Sequence, residues 1–466
     1  MKKEISIGIA LIPILGLIGS AIASIFIWNA GMHIPLLIGV IAAAIVAVIC
    51  GWSWIDVEKM MVNGVARALP AVFILFIIGI IVGTWIASGV IPTMIYYGLS
   101  IIHPAFFVPI VALVTGIVSI TLGSSFISIA TIGIAFMVIG DGLGFSAGLV
   151  AGAVISGAYF GDKLSPLSDT TNIAPVMADT DLFSHIKHML WDTIPAFVIA
   201  IIMYWGVGSF VASNNTVNTD AIDIIKTGLQ DLFIIHPLLL LMPLFTIFLM
   251  IKRIPAIPAL ISVGFLGGII AIIVQGISVS EVIQTMTSGF SVSTGVDAVD
   301  SLLNRGGLMS MLGTVAILII ATAFGGILEE TGVFVTLTGK IMDKVRSTGS
   351  LISSTILSTF VIAFASGEQF LSIILPARTF TEKYKEMGID TKNLSRSVEA
   401  AGTVGINLVP WGVTAVFATN MLGASPGEFI PFSFFVFLVP LLNVIFGFTG
   451  WTIAKKEYDE TKEIYR

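Results

Sequence analysis

The chain has 466 residues, of which 56% are apolar and only 11% charged, with a formal net charge of −6 and a mean hydropathy of +1.04. A soluble domain carries about 25% charged residues, so water is not the main solvent and a soluble enzyme is excluded. The acidic balance leaves no basic surface for nucleic acid, and the single cysteine, Cys50, allows neither an intramolecular disulfide nor a thiolate metal site.

Apolar runs long enough to cross a bilayer, which takes about 17–25 residues, recur along the whole length and leave no separate soluble domain. The start, Met1-Lys2-Lys3 followed by an apolar run and Ala21-Ile22-Ala23, resembles a secretory leader, but the run continues to Trp28 and a second apolar segment follows at once, so it is read as a span. The fold class expected is an all-α integral membrane protein with about ten transmembrane helices. They are placed near 7–28, 33–51, 70–89, 146–177, 190–211, 235–251, 256–275, 308–329, 395–421 and 429–453. Two further apolar stretches, 105–139 and 349–380, are interrupted midway by small and polar residues and read as re-entrant hairpins. Segments 53–68, 92–103, 281–291 and 333–346 read as amphipathic helices at the membrane surface. With the N-terminus inside, nineteen of the 22 Lys and Arg residues collect on the cytoplasmic side, Lys226 and Arg305 fall outside, and Lys163 is left in the core.

An internal repeat organises these elements. Gly83 to Val90 lines up with Gly326 to Val333 at a shift of 243, Gly123-Ser-Ser-Phe-Ile-Ser128 with Gly367-Glu-Gln-Phe-Leu-Ser372 at 244, and Gly161-Asp-Lys-Leu-Ser-Pro166 with Gly405-Ile-Asn-Leu-Val-Pro410 at 244. Upstream, Ile34-Pro35 resembles Ile257-Pro258, with about 20 extra residues in the second half between Gly289 and Gly307. Each half then holds an odd number of spans plus one hairpin, which forces the two repeats into opposite orientations. The expected division is a first repeat at 1–212, an extracytoplasmic linker at 213–234 and a second repeat at 235–466.

Inside hydrocarbon every backbone group must be paired, so an interrupted helix is tolerated only where it lines a cavity or packs in protein. The interruptions fall at matching places: Thr121 to Ser125 and Ser366 to Gln369 at the hairpin tips, Gly161 to Asn172 and Gly402 to Thr414 within spans. In Gly161-Asp-Lys-Leu-Ser-Pro-Leu-Ser-Asp-Thr-Thr-Asn172, glycine and proline work against a regular helix. The freed carbonyls, with the side chains of Asp162, Ser165, Asp169, Thr170, Thr171 and Asn172, offer the hard oxygen ligands a small cation prefers. A cytoplasmic loop is the plainer reading, but a solvent loop has no reason to recur inside an apolar span, where Asn407 is read as standing for Asp162. Ser124, Ser125, Gln369 and Thr403 complete the expected ligand set.

Ionisable groups in membrane cores mark ion pathways. Asp162 and Asp169 are the expected sodium ligands, and a proton competing with the cation for the same carboxylates is antiport. Lys163 serves either as a counter-ion that fills the site when the cation leaves or as a salt-bridge partner holding Asp162. Glu368, opposite Ser124 in the repeat, is the candidate acid of the second half. Three carboxylates against one lysine leave two net negative charges, which suits one sodium ion or up to two protons. Glu329 and Glu330 read as helix-end residues, His185 and His188 as an interfacial helix face or a pH sensor, and Asp192 and Arg378 as groups that pair or snorkel. The competing class is an intramembrane aspartyl protease built on Asp141 and Asp162, which needs those two carboxylates side by side.

The segment 161–172, followed by Ala174-Pro175 and Asp181-Leu-Phe-Ser-His-Ile186, closely resembles the NhaC family of bacterial sodium/proton antiporters, and the resemblance covers essentially the whole chain. It implies two inverted repeats with hairpins and broken helices meeting at the midplane, as in the wider ion transporter superfamily, together with an elevator-like movement, a homodimer, an inner-membrane location with cytoplasmic termini, and no cofactor beyond the transported ions. The family also includes proteins resembling malate/lactate exchangers and amino-acid carriers, so a small organic anion or amino acid is the alternative cargo.

Overall fold

A computed structural model describes residues 5–28, 30–101, 104–214, 219–252, 254–294, 299–300, 303–342 and 345–455. Lys2, Lys3, Arg253, Lys344, Lys456, Lys462 and Arg466, which entered the charge asymmetry, lie outside the described residues. Among the described residues the structure is helical throughout, with one isolated bridge between Ile389 and Lys455. Seven helices are long and apolar enough to cross a membrane, or ten spans if each bent helix pair counts as one.

The first half runs α1 (Ile7–Ile22), α2 (His33–Ile49), α3 (Trp54–Ala87), α4 (Val90–Ile101), α5 (Pro104–Leu122), α6 (Ser125–Gly142), α7 (Ala147–Leu164), α8 (Asp169–Met177) and α9 (Leu182–Asn214). After α10 (Thr219–Leu232), the second half runs α11 (Leu241–Ile251), α12 (Ala256–Gln275), α13 (Val279–Ser288), α14 (Leu312–Glu330), α15 (Val333–Met342), α16 (Thr348–Ser366), α17 (Gln369–Glu386), α18 (Lys392–Leu408), α19 (Val413–Leu422) and α20 (Phe434–Thr449).

The halves repeat in their helix boundaries. α5 and α16 both begin and end 244 residues apart, α7 and α18 stop at Leu164 and Leu408, and α8 and α19 start at Asp169 and Val413. The hairpin tips agree in backbone detail: Gly123 and Gly367 both take φ +66, a left-handed turn that glycine adopts without steric cost. The next residue, Ser124 or Glu368, accepts the N–H of Ile127 or Leu371 and so caps the outgoing helix. In this register Asn407 falls opposite Lys163, and Ile406 opposite Asp162. The pairing of Asn407 with Asp162 is therefore one residue out, about 100° around a helix.

Other expectations change as well. Segment 53–68 is not a separate surface helix: α3 is one helix of 34 residues that continues through Pro70. At about 1.5 Å per residue it is longer than a bilayer core, and its early turns lie against α14. A Cβ on Gly64 would sit 2.1 Å from the Thr322 carbonyl oxygen, and one on Gly326 2.3 Å from that of Met60. Nor does Gly161 break a helix. α7 runs on to Leu164 and is buried almost throughout, and its small residues let it touch α5 backbone to backbone, the packing that stands in for a hydrophobic driving force in lipid. A Cβ on Gly157 would meet the Ala112 carbonyl oxygen at 2.3 Å and one on Gly161 that of Gly116 at 2.4 Å.

A buried polar chain ties α7 to α9, α18 and α20. Lys163 Nζ donates to both Asp192 oxygens at 3.2 and 3.4 Å, and neither side chain is exposed at all. Asn443 Nδ2 donates to Asp192 as well, and Arg396 Nε donates to Asn443 Oδ1 at 2.9 Å. Lys163 is thus paired with Asp192 and not with Asp162, which replaces the expected salt bridge to Asp162. His185 and His188 are likewise buried rather than interfacial, bonded to Ser395 at 2.8 Å and Asn393 at 3.1 Å of α18.

G161V should lower the detergent melting temperature by the equivalent of about 1–3 kcal/mol or more, because backbone stands where the side chain must go. G206A, at a glycine with open space around its Cβ, should melt like the wild type in the same assay. D192N leaves the Lys163 ammonium buried without its counter-charge and should cost about 3–5 kcal/mol, read as lost thermal stability, with D192N/K163M recovering most of the loss.

Candidate functional site

The break between α7 and α8 is only four residues long, Ser165 to Ser168. A helix that stops inside a protein leaves carbonyls and N–H groups to be paired, and here the following turn supplies the partners. Thr171 Oγ1 donates to the carbonyls of Asp162 and Lys163 at 3.1 and 3.2 Å, and Asn172 Nδ2 donates to those of Pro166 and Ser168 at 2.8 and 2.7 Å. Ser165 Oγ accepts the Leu167 N–H at 3.3 Å, and Ser168 caps α8. Three of the candidate ligands, Ser165, Thr171 and Asn172, are thus engaged in closing the chain on itself, and so are the carbonyls that the sequence offered to a cation.

What remains for chemistry is side-chain oxygen. Asp162 sits on the last turn of α7, 5% exposed, and accepts a hydrogen bond from Ser125 Oγ at 2.7 Å. The first hairpin tip and the first broken span therefore meet at this carboxylate, with Ser168 beside it. Among the described residues no Lys, Arg or His forms an ion pair with Asp162. Behind it the buried Tyr159 hydroxyl neighbours Ser125, Asp162, Asn407 and Thr414. Asn407 donates its Nδ2 to the Val404 carbonyl at 3.0 Å, and its Oδ1 has no partner; the Thr403 and Thr414 hydroxyls are also without one.

A cavity of about 560 Å³ opens in front of Asp162. Its ionisable walls are Asp162, Asp169, Glu329, Glu368, Arg67 and Arg378, four carboxylates against two guanidiniums and so a formal excess of two negative charges. Both hairpin tips contribute, through Ser124 and through Glu368 with Gln369, and both broken spans contribute, through Thr170 and Thr414. Arg67 and Glu329 form an ion pair at 2.7 Å, whereas Arg378 and Asp169 make no hydrogen bond or ion pair among the described residues. Glu368 spends one carboxylate oxygen on the Leu371 N–H at 2.7 Å, and Gln369 reaches the Thr403 carbonyl at 3.5 Å.

Asp162, Ser124, Asp169, Thr170, Glu368 and Gln369 thus share one cavity. Ser125 holds Asp162 from behind its wall, and Thr403 and Asn407 lie deeper. Sequence reading missed Glu399, which is wholly buried in α18, and gave Glu329 only a helix-end role. An acid between Val398 and Ala400 in an apolar span was the available signal. Asp141 is exposed and has Arg305 as its charged neighbour, whereas Asp162 is buried in the cavity wall and has Asp169; Asp141 and Asp162 do not share surroundings.

Residues 157–451 match the Na+/H+ antiporter family. The chain is 40% identical over 459 residues, 98% of each protein, to the Na(+)/H(+) antiporter NhaC of Alkalihalophilus pseudofirmus. It is 35% identical to the malate-2H(+)/Na(+)-lactate antiporter of Bacillus subtilis, covering 94% of this chain and 95% of that one. It is 37% identical to the arginine/ornithine antiporter ArcD of Halobacterium salinarum, covering 99% and 96%. Relatives so similar over nearly their whole length are membrane antiporters and not enzymes, and the chain belongs to the Na+/H+ antiporter family.

Proposed function

We propose that this protein exchanges sodium ions for protons, with Asp162 as the carboxylate for which the two compete and Asp169 and Glu368 as the charged approach to it. One observation carries the reading: Asp162 lines the cavity, is buried beside oxygen groups and forms no ion pair among the described residues, although Lys163 stands next to it in the chain. A buried carboxylate without a counter-charge is costly, and a small cation or a proton removes the cost. The two cannot occupy it together, so uptake of one expels the other. Thr170 and Ser124 supply neutral oxygens on the same wall.

The same reading places the protein in the bacterial inner membrane with both termini in the cytoplasm, as the cationic loops favour. The halves 1–212 and 235–466, joined by the linker 213–234, act as two inverted repeats, and the part that carries both tips and both broken spans moves elevator-fashion against the rest of a homodimer.

In proteoliposomes an outward sodium gradient should drive proton uptake with no organic solute present, and D162N should abolish it. Because proton and sodium compete, the apparent KM for sodium should rise as pH falls, by up to about tenfold per pH unit for one proton, while the rate at saturating sodium changes little. A KM independent of pH would rule out a shared site.

The size of the cavity and its arginines favour a second reading. About 560 Å³ far exceeds what one sodium ion fills, and among the described residues Arg378 forms no ion pair. Arg binds carboxylates through two parallel hydrogen bonds, so a small carboxylate or amino acid, the cargo in the names of two relatives, fits beside the sodium. Offered malate, lactate and amino acids in turn, the wild type would then exchange one of them. R378Q would raise the KM for that solute about tenfold or more, the loss of one charge-assisted contact, and leave sodium/proton exchange in its absence unchanged.

A further inference from the structure

We infer that Glu399, with the hydroxyls of Thr403 and Thr170, forms an inner cation site one residue layer beyond the end of the cavity, taking an alkali cation of the size of sodium that passes by Asp162. The inference deepens the sodium/proton reading and rests on it for the identity of the cation.

Glu399 is 0% exposed, and neither of its carboxylate oxygens has a hydrogen-bond partner among the described residues. Thr403 and Thr170 stand beside the carboxylate, yet neither hydroxyl makes a well-formed hydrogen bond to it. Lys163 and Asp162 are its charged neighbours. Lys163 donates to both oxygens of Asp192 and forms no ion pair with Glu399.

The charge balance points the same way. Besides two histidines that touch no carboxylate, the buried Asp, Glu, Lys and Arg residues among those described are Asp162, Asp192, Glu399, Lys163 and Arg396. Three carboxylates face two cations, a deficit that one monovalent ion fills. Thr403 Oγ1 beside the carboxylate and, near Tyr159, Asn407 Oδ1 and Thr414 Oγ1 are orphaned oxygens, the donor type of hard cations; Arg396 Nη2, one turn before Glu399 in the helix, is an orphaned nitrogen.

The backbone is shaped for this as well. The helix leaves α geometry immediately after Glu399, with a π-turn from Ala400 to Val404 and a 3₁₀ turn to Leu408, and π-turns gather at functional sites. Thr170 belongs both to the cavity wall and to the surroundings of Glu399, so it marks the doorway between the outer and inner positions.

Binding of radiolabelled sodium to the purified full-length protein in detergent tests this without requiring transport. E399Q should weaken sodium binding about tenfold or more, E399D should recover part of the loss, and T403V should weaken it about threefold or more. Sodium binding by both E399Q and T403V within twofold of wild type overturns the inner site, and so does a drop in melting temperature with sodium affinity kept, which would make Glu399 a structural acid. Should E399Q not fold, T403V and E399D decide between the same outcomes. A wild type that binds sodium but shows no sodium-driven proton movement overturns the exchange reading instead, and the binding comparison still decides Glu399.

Discussion

A helix cut in the middle of a membrane protein has nowhere to put its loose ends. Each unpaired backbone group away from water costs on the order of several kcal/mol, and the rest of this structure follows from how the cut between Leu164 and Asp169 is closed. Thr171 and Asn172 reach back to four carbonyls, and Ser168 caps the outgoing helix. With the backbone paired to itself, cation chemistry falls to carboxylates and hydroxyls that project from the flanking turns. That explains a site whose key residue, Asp162, is still helical, held in place by a serine from another element.

The interior also separates two kinds of buried charge. Lys163, Asp192, Asn443 and Arg396 form a connected hydrogen-bonded chain built on the Lys163–Asp192 ion pair, and it fastens the broken helix to α9, α18 and α20. Among the described residues Asp162 and Glu399 form no ion pair. One residue step around a helix, about 100°, divides the ion-paired lysine from the aspartate of the cavity wall. Paired charges anchor, and unpaired ones invite an ion.

The two halves match in frame and differ in chemistry. The halves share helix limits, tip glycines and capping positions, yet Ser124 faces Glu368 across the repeat, Lys163 faces Asn407, and Ser168 faces Gly412. The first half brings the aspartates and the hydroxyl-rich cut. The second brings Glu368, Glu399 and the orphaned oxygens of Thr403, Asn407 and Thr414. A cavity between like-shaped but differently furnished halves can therefore be chemically lopsided while remaining geometrically balanced.

The one-dimensional patterns were enough for the membrane class, the helical fold, the repeat near 244 and the polar interruptions, because these depend on composition, run length and spacing alone. They also singled out Asp162, Glu368, Ser124 and Thr170, since polar residues in apolar surroundings stand out wherever they lie. Tertiary structure alone decided which of those residues are consumed in holding the chain together: Thr171 and Asn172 look like ligands until their backbone partners are known, and Gly161 looks like a helix breaker until α5 is seen against it. It alone turned Lys163 toward Asp192 and brought Glu399, 237 residues away in the chain, to the neighbourhood of Asp162. The physical reason is that a sequence records which groups need partners, whereas the partners themselves come from other helices, and only packing brings them within reach.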